Sequence, residues 1–132
     1  MMKIALIAQN KKKEQMIRFC LTYASILARH ELYATGGTGR MIQDTTGLKV
    51  HCFLSGRQGG DQQIGEHIAY DEMDMLIAFR DTLTSGPSAT YESMLRLCDT
   101  HGVPYATNLA TAEALMFVLK NNELGISHIK SE

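Results

Sequence analysis

The sequence predicts an α/β fold, a three-layer α/β/α sandwich on a five-stranded parallel sheet, and three observations carry that expectation. Short apolar runs such as residues 3–8 (KIALIA) and 73–79 (MDMLIAF) are continuous rather than alternating, as in strands covered on both faces. These runs alternate with segments whose apolar residues recur at helical spacing. The joints are polar or glycine-rich, with neither an internal repeat nor a low-complexity linker, so residues 1–132 are expected to form one domain.

Residues 3–8 form the first strand, and Gln9-Asn10 breaks it. After Lys11-Lys12-Lys13, the spacing of Met16, Ile17, Cys20, Leu21, Ala24, Leu27 and Ala28 predicts one helix. It should end near Arg29-His30, where basic side chains suit the negative end of the helix dipole. Residues 31–35 are the second strand, followed by Gly36-Gly37-Thr38-Gly39 as a loop and a short helix over 40–46 that Gly47 stops. Residues 48–54 are the third strand. The run 55–65 (SGRQGGDQQIG) opens as a loop and restarts as a helix from about Asp61 to Tyr70. The fourth strand takes 73–79 and a loop takes 80–87. Ser88 or Thr90 offers a cap to a helix carrying Met94, Leu95, Leu97 and Cys98, which ends at His101-Gly102. The fifth strand covers 103–108, with Pro104 near its start, where a proline is tolerated. Thr111 then caps a helix over 112–119, Asn121-Asn122 ends it, and residues 125–132 have no assigned element.

Composition narrows the function. A net charge near −1 supplies no broad field for nucleic acid or an anionic membrane, so any anion site must be local. No apolar stretch approaches the ~20 residues of a membrane helix, and the N-terminal run is too short for a signal peptide, so a cytoplasmic location is expected. Cys20, Cys52 and Cys98 are odd in number and widely spaced, which reads as reduced core thiols rather than a disulfide framework or a metal knuckle. His51 and His67 read as structural or surface residues. No two of His30, His51, His67, His101 and His128 have ligand spacing with a carboxylate, and neither a metal nor a cofactor is expected.

In a parallel sheet, ligands sit beyond the carboxyl ends of the strands. Five loops leave those ends, over 9–13, 35–39, 55–61, 80–88 and 108–111. They should gather Lys13, Thr35, Thr38, Ser55, Asp61, Arg80, Asp81 and Ser88 around one crevice. Thr35 and the Gly36 to Gly39 run offer hydroxyl and backbone N–H donors to a phosphate, without forming a Walker loop or a dinucleotide fingerprint. Ser55-Gly56 is a second such turn. The three lysines oppose the dipole of the helix they begin, which is easier to understand if one of them, Lys13, faces a bound anion. Asp61 stands where a helix begins, with Gln62 and Gln63 as neutral donors beside it. It is either the N-cap of a tight turn or a base that takes a proton from a phosphorylated substrate. Asp81 is a second carboxylate, either paired with Arg80 or part of the site. A chain without tryptophan lacks the platforms of a two-carboxylate glycosidase. Proton abstraction beside a carbonyl, with one base and donors for the enolate oxygen, fits better.

The segments KIALIA at 3–8, LYATGGTG at 32–39, SGRQGGDQQIG at 55–65, RDTLT at 80–84 and VPYATNLATAE at 103–113 resemble methylglyoxal synthases, and the likeness runs from Lys3 to about Leu119. The GGDQQ block is its most specific part. The resemblance implies a five-stranded parallel sheet flanked by helices and a homohexamer. It also implies a phosphate lyase without metal or organic cofactor, which converts dihydroxyacetone phosphate to methylglyoxal and phosphate. By position it implies Asp61 as the catalytic base and Asp81 as a further active-site aspartate. Lys13, Thr35, Gly36, Gly37, Thr38, Ser55 and Gly56 fall on its substrate contacts. Gln9 and Ser88 occupy contact positions where the family carries histidine, Tyr91 stands where it carries aspartate, and Gly37 and Arg57 also depart from the pattern. Glutamine and serine donate hydrogen bonds but do not titrate near neutrality, as histidine does. Two readings follow: a methylglyoxal synthase of reduced rate, or a phosphate-ligand-binding regulatory homologue on the same fold. A lyase for another phosphorylated ketose is a third.

Overall fold

In the computed structural model, which describes residues 1–84 and 86–121, eleven elements follow one another. They are β1 (Lys3–Ala8), α1 (Lys13–Thr22), α2 (Ala24–Leu27), β2 (Glu31–Ala34), α3 (Gly36–Thr46), β3 (Val50–Cys52), α4 (Gly60–Ala69), β4 (Met75–Phe79), α5 (Ala89–His101), β5 (Tyr105–Ala106) and α6 (Leu109–Lys120). Two 3₁₀ turns, Asn10–Lys12 and Gly56–Gln58, lead into α1 and α4. The sheet order is β3-β2-β1-β4-β5 and every pair is parallel, as the alternation of apolar runs and helices requires. The order reverses between β1 and β4, so the loops after these strands diverge to opposite faces and leave a crevice at the switch point.

The pleat divides the core in two. Ile4, Leu6 and Ala8 of β1, with Met75, Ile77 and Phe79 of β4, face one way and pack on Met16, Phe19, Cys20, Leu27, Ile42 and Met116 of α1, α2, α3 and α6. The intervening Ala5, Ile7, Leu76 and Ala78 face the other way, onto Ile64, Ile68, Tyr91, Met94, Leu95 and Cys98 of α4 and α5. Burial on both faces explains why β1 and β4 read as unbroken apolar runs.

Several boundaries differ from expectation for local physical reasons. Gly36 to Gly39 is the first turn of α3 rather than a loop. A Cβ on Gly39 would lie 2.5 Å from Cys52 Sγ, and one on Gly36 would lie 3.0 Å from the Phe53 carbonyl oxygen. Those glycines let a helix press against a strand. The single helix expected before β2 is divided at Tyr23, which leaves helical angles at φ −108° and ψ 22°. β3 and β5 are the sheet edges, each with one neighbour, and they shorten to three and two residues. Cys20 and Cys98 are buried thiols, but Cys52 on the β3 edge is exposed, which corrects its assignment to the core. The stretch 125–132, with His128, lies outside the described residues.

The last helix begins three residues earlier than expected because Asn108, not Thr111, is its cap: Asn108 Oδ1 accepts from the Thr111 N–H at 3.0 Å. Asn108→Ala should cost ~1 kcal/mol in urea unfolding, the usual loss of a capping side chain. An unchanged unfolding midpoint would show that this bond contributes nothing.

Candidate active site

A crevice of about 650 Å³ lies at the switch point, beyond the carboxyl ends of β1, β2, β3 and β4. Its walls carry Gln9, Lys13, Thr35, Gly37, Ser55, Gly56, Asp61, Asp81 and Ser88 among the residues expected there. Gly36, Thr38 and Arg80 are not wall residues. Gly36 is turned toward Phe53, with its N–H on the Leu54 carbonyl at 3.1 Å. Thr38 is buried beneath the turn, and its hydroxyl has no partner among the described residues. Arg80 extends away and donates from Nη1 to Glu92 Oε1 at 2.8 Å, so the Arg80–Asp81 pair does not form. The loop at 108–111, expected to be a fifth contributor, is not part of the wall. Six wall residues were outside the expected set: Ala8, Asn10, Lys11, Arg57, Thr84 and Tyr91. The triple-lysine run held the signal for Lys11, but only the 3₁₀ turn decides that Lys11 and Lys13 reach the crevice.

One end of the crevice is built from the start of α3. Thr35 is its N-cap but makes no side-chain capping bond, and Gly39 N–H is the first donor to close back, onto Thr35 O at 2.8 Å. Gly37 and Thr38 N–H therefore have no partner among the described residues. Two open donors at the positive end of an eleven-residue helix suit an anion. Lys13 Nζ stands above the same turn, 3.1 Å from where a Gly37 Cβ would be. The absent side chain is what lets the ammonium come so close.

The next strand end supplies the acid. Gly59 takes φ 102° and ψ 13°, a left-handed conformation that glycine adopts without steric cost, and it is the N-cap of α4. Asp61 is thus the second residue of the helix, not its cap. Both of its carboxylate oxygens lie 3.7 Å from the position of a Gly56 Cβ, so the bare glycine keeps room in front of the acid. Asp61 accepts no hydrogen bond among the described residues, and burial pushes its pKa above the ordinary aspartate value. Gln63 is outside the crevice wall, and its Oε1 accepts the Leu54 N–H at 2.8 Å, which ties α4 to the end of β3. Gln62 is exposed and outside the crevice wall.

Asp81 is the opposite case. The Thr84 hydroxyl and the Thr84 and Leu83 N–H groups donate to it, Lys11 adds a favourable charge, and its pKa is held below the ordinary range. Its own N–H donates to Gln9 Oε1 at 2.7 Å. With the carbonyl side of the Gln9 amide occupied, the NH₂ is the side left for the crevice that Gln9 lines. Ser88 Oγ accepts the Tyr91 N–H at 3.2 Å as the N-cap of α5. The crevice thus holds two aspartates with pKa values driven apart, a pattern that separates a proton acceptor from a permanent anion.

The described histidines lie elsewhere. His51 stacks on Tyr33 with ring centroids 4.8 Å apart, and His67 tilts on Phe53 at 4.9 Å. His30 Nδ1 accepts the Met2 N–H. Among the described residues no group of three His, Cys, Asp or Glu side chains is gathered as a metal site requires. No described helix is long and apolar enough to cross a membrane.

Comparison with known proteins gives one consistent answer. Residues 15–107 match the family model described as the MGS-like domain. A methylglyoxal synthase of Caldicellulosiruptor saccharolyticus is 56% identical over 124 residues, spanning 93% of this chain and 88% of that protein. One from a Geobacillus species is 54% identical over 129 residues, 97% of this chain and 92% of that one. Among solved structures, the methylglyoxal synthase of Elizabethkingia anophelis superposes with a TM-score of 0.82 at 36% identity, over 87% of this chain and 76% of that one.

Proposed function

The chain belongs to the methylglyoxal synthase family, and from that premise we propose how its crevice turns dihydroxyacetone phosphate into methylglyoxal and phosphate. The observation that carries the reading is the juxtaposition of the uncapped α3 N-terminus, with Lys13 of α1 above it, and a burial-perturbed Asp61 that accepts no hydrogen bond among the described residues. The phosphate sits on the Gly37 and Thr38 N–H groups, with Lys13 Nζ as countercharge and the Ser55-Gly56 turn closing the far side. The ketone end then reaches toward Asp61. Asp61 takes a proton from the carbon beside the ketone, the C–H pair becomes a C=C bond, and the carbonyl oxygen takes up the charge. When the C–O bond to phosphate stands out of the enediolate plane, the proton of the neighbouring hydroxyl passes to the former ketone oxygen and the hydroxyl carbon becomes the aldehyde. The C=C shifts to the phosphate-bearing carbon, and phosphate leaves with the C–O electron pair. The enol left behind ketonises to methylglyoxal.

Asp81 is a positioning residue in this scheme. Held ionised by Thr84, it fixes the loop and, through its N–H, the Gln9 amide. Ser88 sets the start of α5 and has its hydroxyl hydrogen left for substrate. The regulatory reading is not favoured, because relatives above 50% identity over nearly the whole chain are synthases by name.

The test is methylglyoxal formation from dihydroxyacetone phosphate by purified protein, beside Lys13→Met. Loss of a charge-assisted bond of roughly 1.5–3 kcal/mol should raise KM about 10- to 100-fold, with a smaller change in kcat. Equal KM for the two proteins would remove Lys13 from the phosphate site. No methylglyoxal from folded parent protein would end the enzyme reading.

A further inference from the structure

Tyr91, the third residue of α5, is 3% exposed and packs within the core between the sheet, α4 and α5. It is also one of the crevice walls. Its hydroxyl makes no hydrogen bond among the described residues. Nor is that oxygen among the fully buried unpaired side-chain atoms of the described residues, Thr38 Oγ1 and Arg80 Nε. A phenol whose ring is buried and whose oxygen keeps access without a partner opens on the cavity it lines. A polar atom at the edge of a core normally finds a protein partner, and this one is left for a ligand.

The surroundings indicate which part of the ligand. Tyr91 lies within electrostatic reach of the Asp61 carboxylate and, more weakly, of the Arg80 guanidinium. Burial comes first and Asp61 second among the causes that push the phenol pKa upward, so the group is a neutral donor at any working pH. Its backbone is set by the Ser88 cap, whose Oγ accepts the Tyr91 N–H. A rigid, permanently protonated O–H beside a base is what a developing enolate oxygen requires.

We propose that Tyr91 is a catalytic residue of this chain, whose hydroxyl donates a hydrogen bond to the substrate oxygen that becomes negative as Asp61 takes the proton. The proton goes from carbon to Asp61, the charge to the former ketone oxygen, and Tyr91 shares its hydrogen without giving it up. This rests on the assignment of Asp61 as base and of the α3 turn as phosphate site. It adds a donor on the crevice wall, in addition to the Gln9 amide.

The test compares the parent, Tyr91→Phe and Asp61→Asn in one assay, with inhibition by inorganic phosphate measured for each. Phenylalanine keeps the buried ring and removes only the donor. The expected result is a kcat about 10²–10³-fold lower in Tyr91→Phe, with KM and the phosphate inhibition constant within about threefold of the parent. If Tyr91→Phe turns over within about twofold of the parent while Asp61→Asn is inactive, the donor role is wrong and the base assignment stands. If Tyr91→Phe loses phosphate affinity together with kcat, the residue shapes the cavity and the proposal is overturned. If Asp61→Asn is as active as the parent, the site reading fails and takes this proposal with it.

Discussion

Asp61→Asn should lower kcat by about 10²–10⁴-fold, the range a positioned general base supplies, while phosphate still binds. Asparagine keeps the shape of the side chain, so the α4 turn and the room in front of Gly56 are retained. The pH dependence makes the test specific. Burial raises the Asp61 pKa, and the base is the ionised form, so parent activity should fall as the pH drops through that raised value. The limb should therefore stand above the ordinary aspartate pKa of ~3.9, and the residual rate of the variant should lack it. Stability carries the opposite sign. A carboxylate whose folded pKa is raised holds its proton more tightly in the folded state, so above that pKa its charge opposes folding. Asp61→Asn should be no less stable than the parent near neutral pH, by urea unfolding. A variant that is both inactive and unfolded would point to a structural aspartate, and one that keeps a third of the rate would point to another base.

Asp81 shows why the two carboxylates of this crevice are not equivalent. From the sequence, each was an acid at the end of a strand, and it was the resemblance that put Asp61 before Asp81 as the base. The physical ranking comes from hydrogen bonds closed by the 81–84 turn, which hold Asp81 ionised and occupied and leave Asp61 unbonded. The same division runs through the whole chain. β1 and β4 were legible to within two residues because burial on both faces writes a continuous apolar run into the sequence. Gly47 and Gly102 were legible as helix stops because each takes a left-handed φ, a single-residue property. The Gly36 to Gly39 run was not legible, since composition alone does not distinguish glycines that free a loop from glycines that admit a neighbouring strand. Gln63 looked like a ligand donor, but it lies outside the crevice wall and ties α4 to Leu54 instead. Tyr91 was visible only as a departure from a pattern. Its place on the crevice wall follows from the phase of α5, which begins at Ala89, together with the fold that brings α5 beside α4. Convergence of strand-end loops could be read in advance, whereas the pairing of polar groups within it depends on tertiary contacts.

Gly60→Ala should be the most damaging of the small substitutions, and the reason lies in how the two helix starts are joined. A Cβ on Gly60 would sit 2.0 Å from the Leu54 carbonyl oxygen, with the Leu54 carbonyl carbon and Thr35 Cγ2 each 2.9 Å away. Two of those three atoms are backbone, so no rotamer relieves the clash. Leu54 O also accepts the Gly36 N–H, while Leu54 N–H is held by Gln63. One residue thus links the first turn of α3 to the first turn of α4, the two turns assigned here to phosphate and base. Overpacking costs typically ~1–3 kcal/mol and more where backbone must shift, so a loss of about 3 kcal/mol or more is expected in urea unfolding. Activity at low denaturant should also fall, because α4 carries Asp61 away from α3 as it moves. Gly65→Ala in the same helix is the matched control. A Cβ there would meet only Leu97 and Met94 side chains, at 3.6 and 3.7 Å, so the helical preference of alanine should make it neutral or up to about 1 kcal/mol stabilising. Both substitutions make the same chemical change in one helix, so a difference between them isolates the Leu54 contact from helix propensity. Equal stability of the two would mean that the helix starts are not locked together, and that the spacing between phosphate and base is set elsewhere.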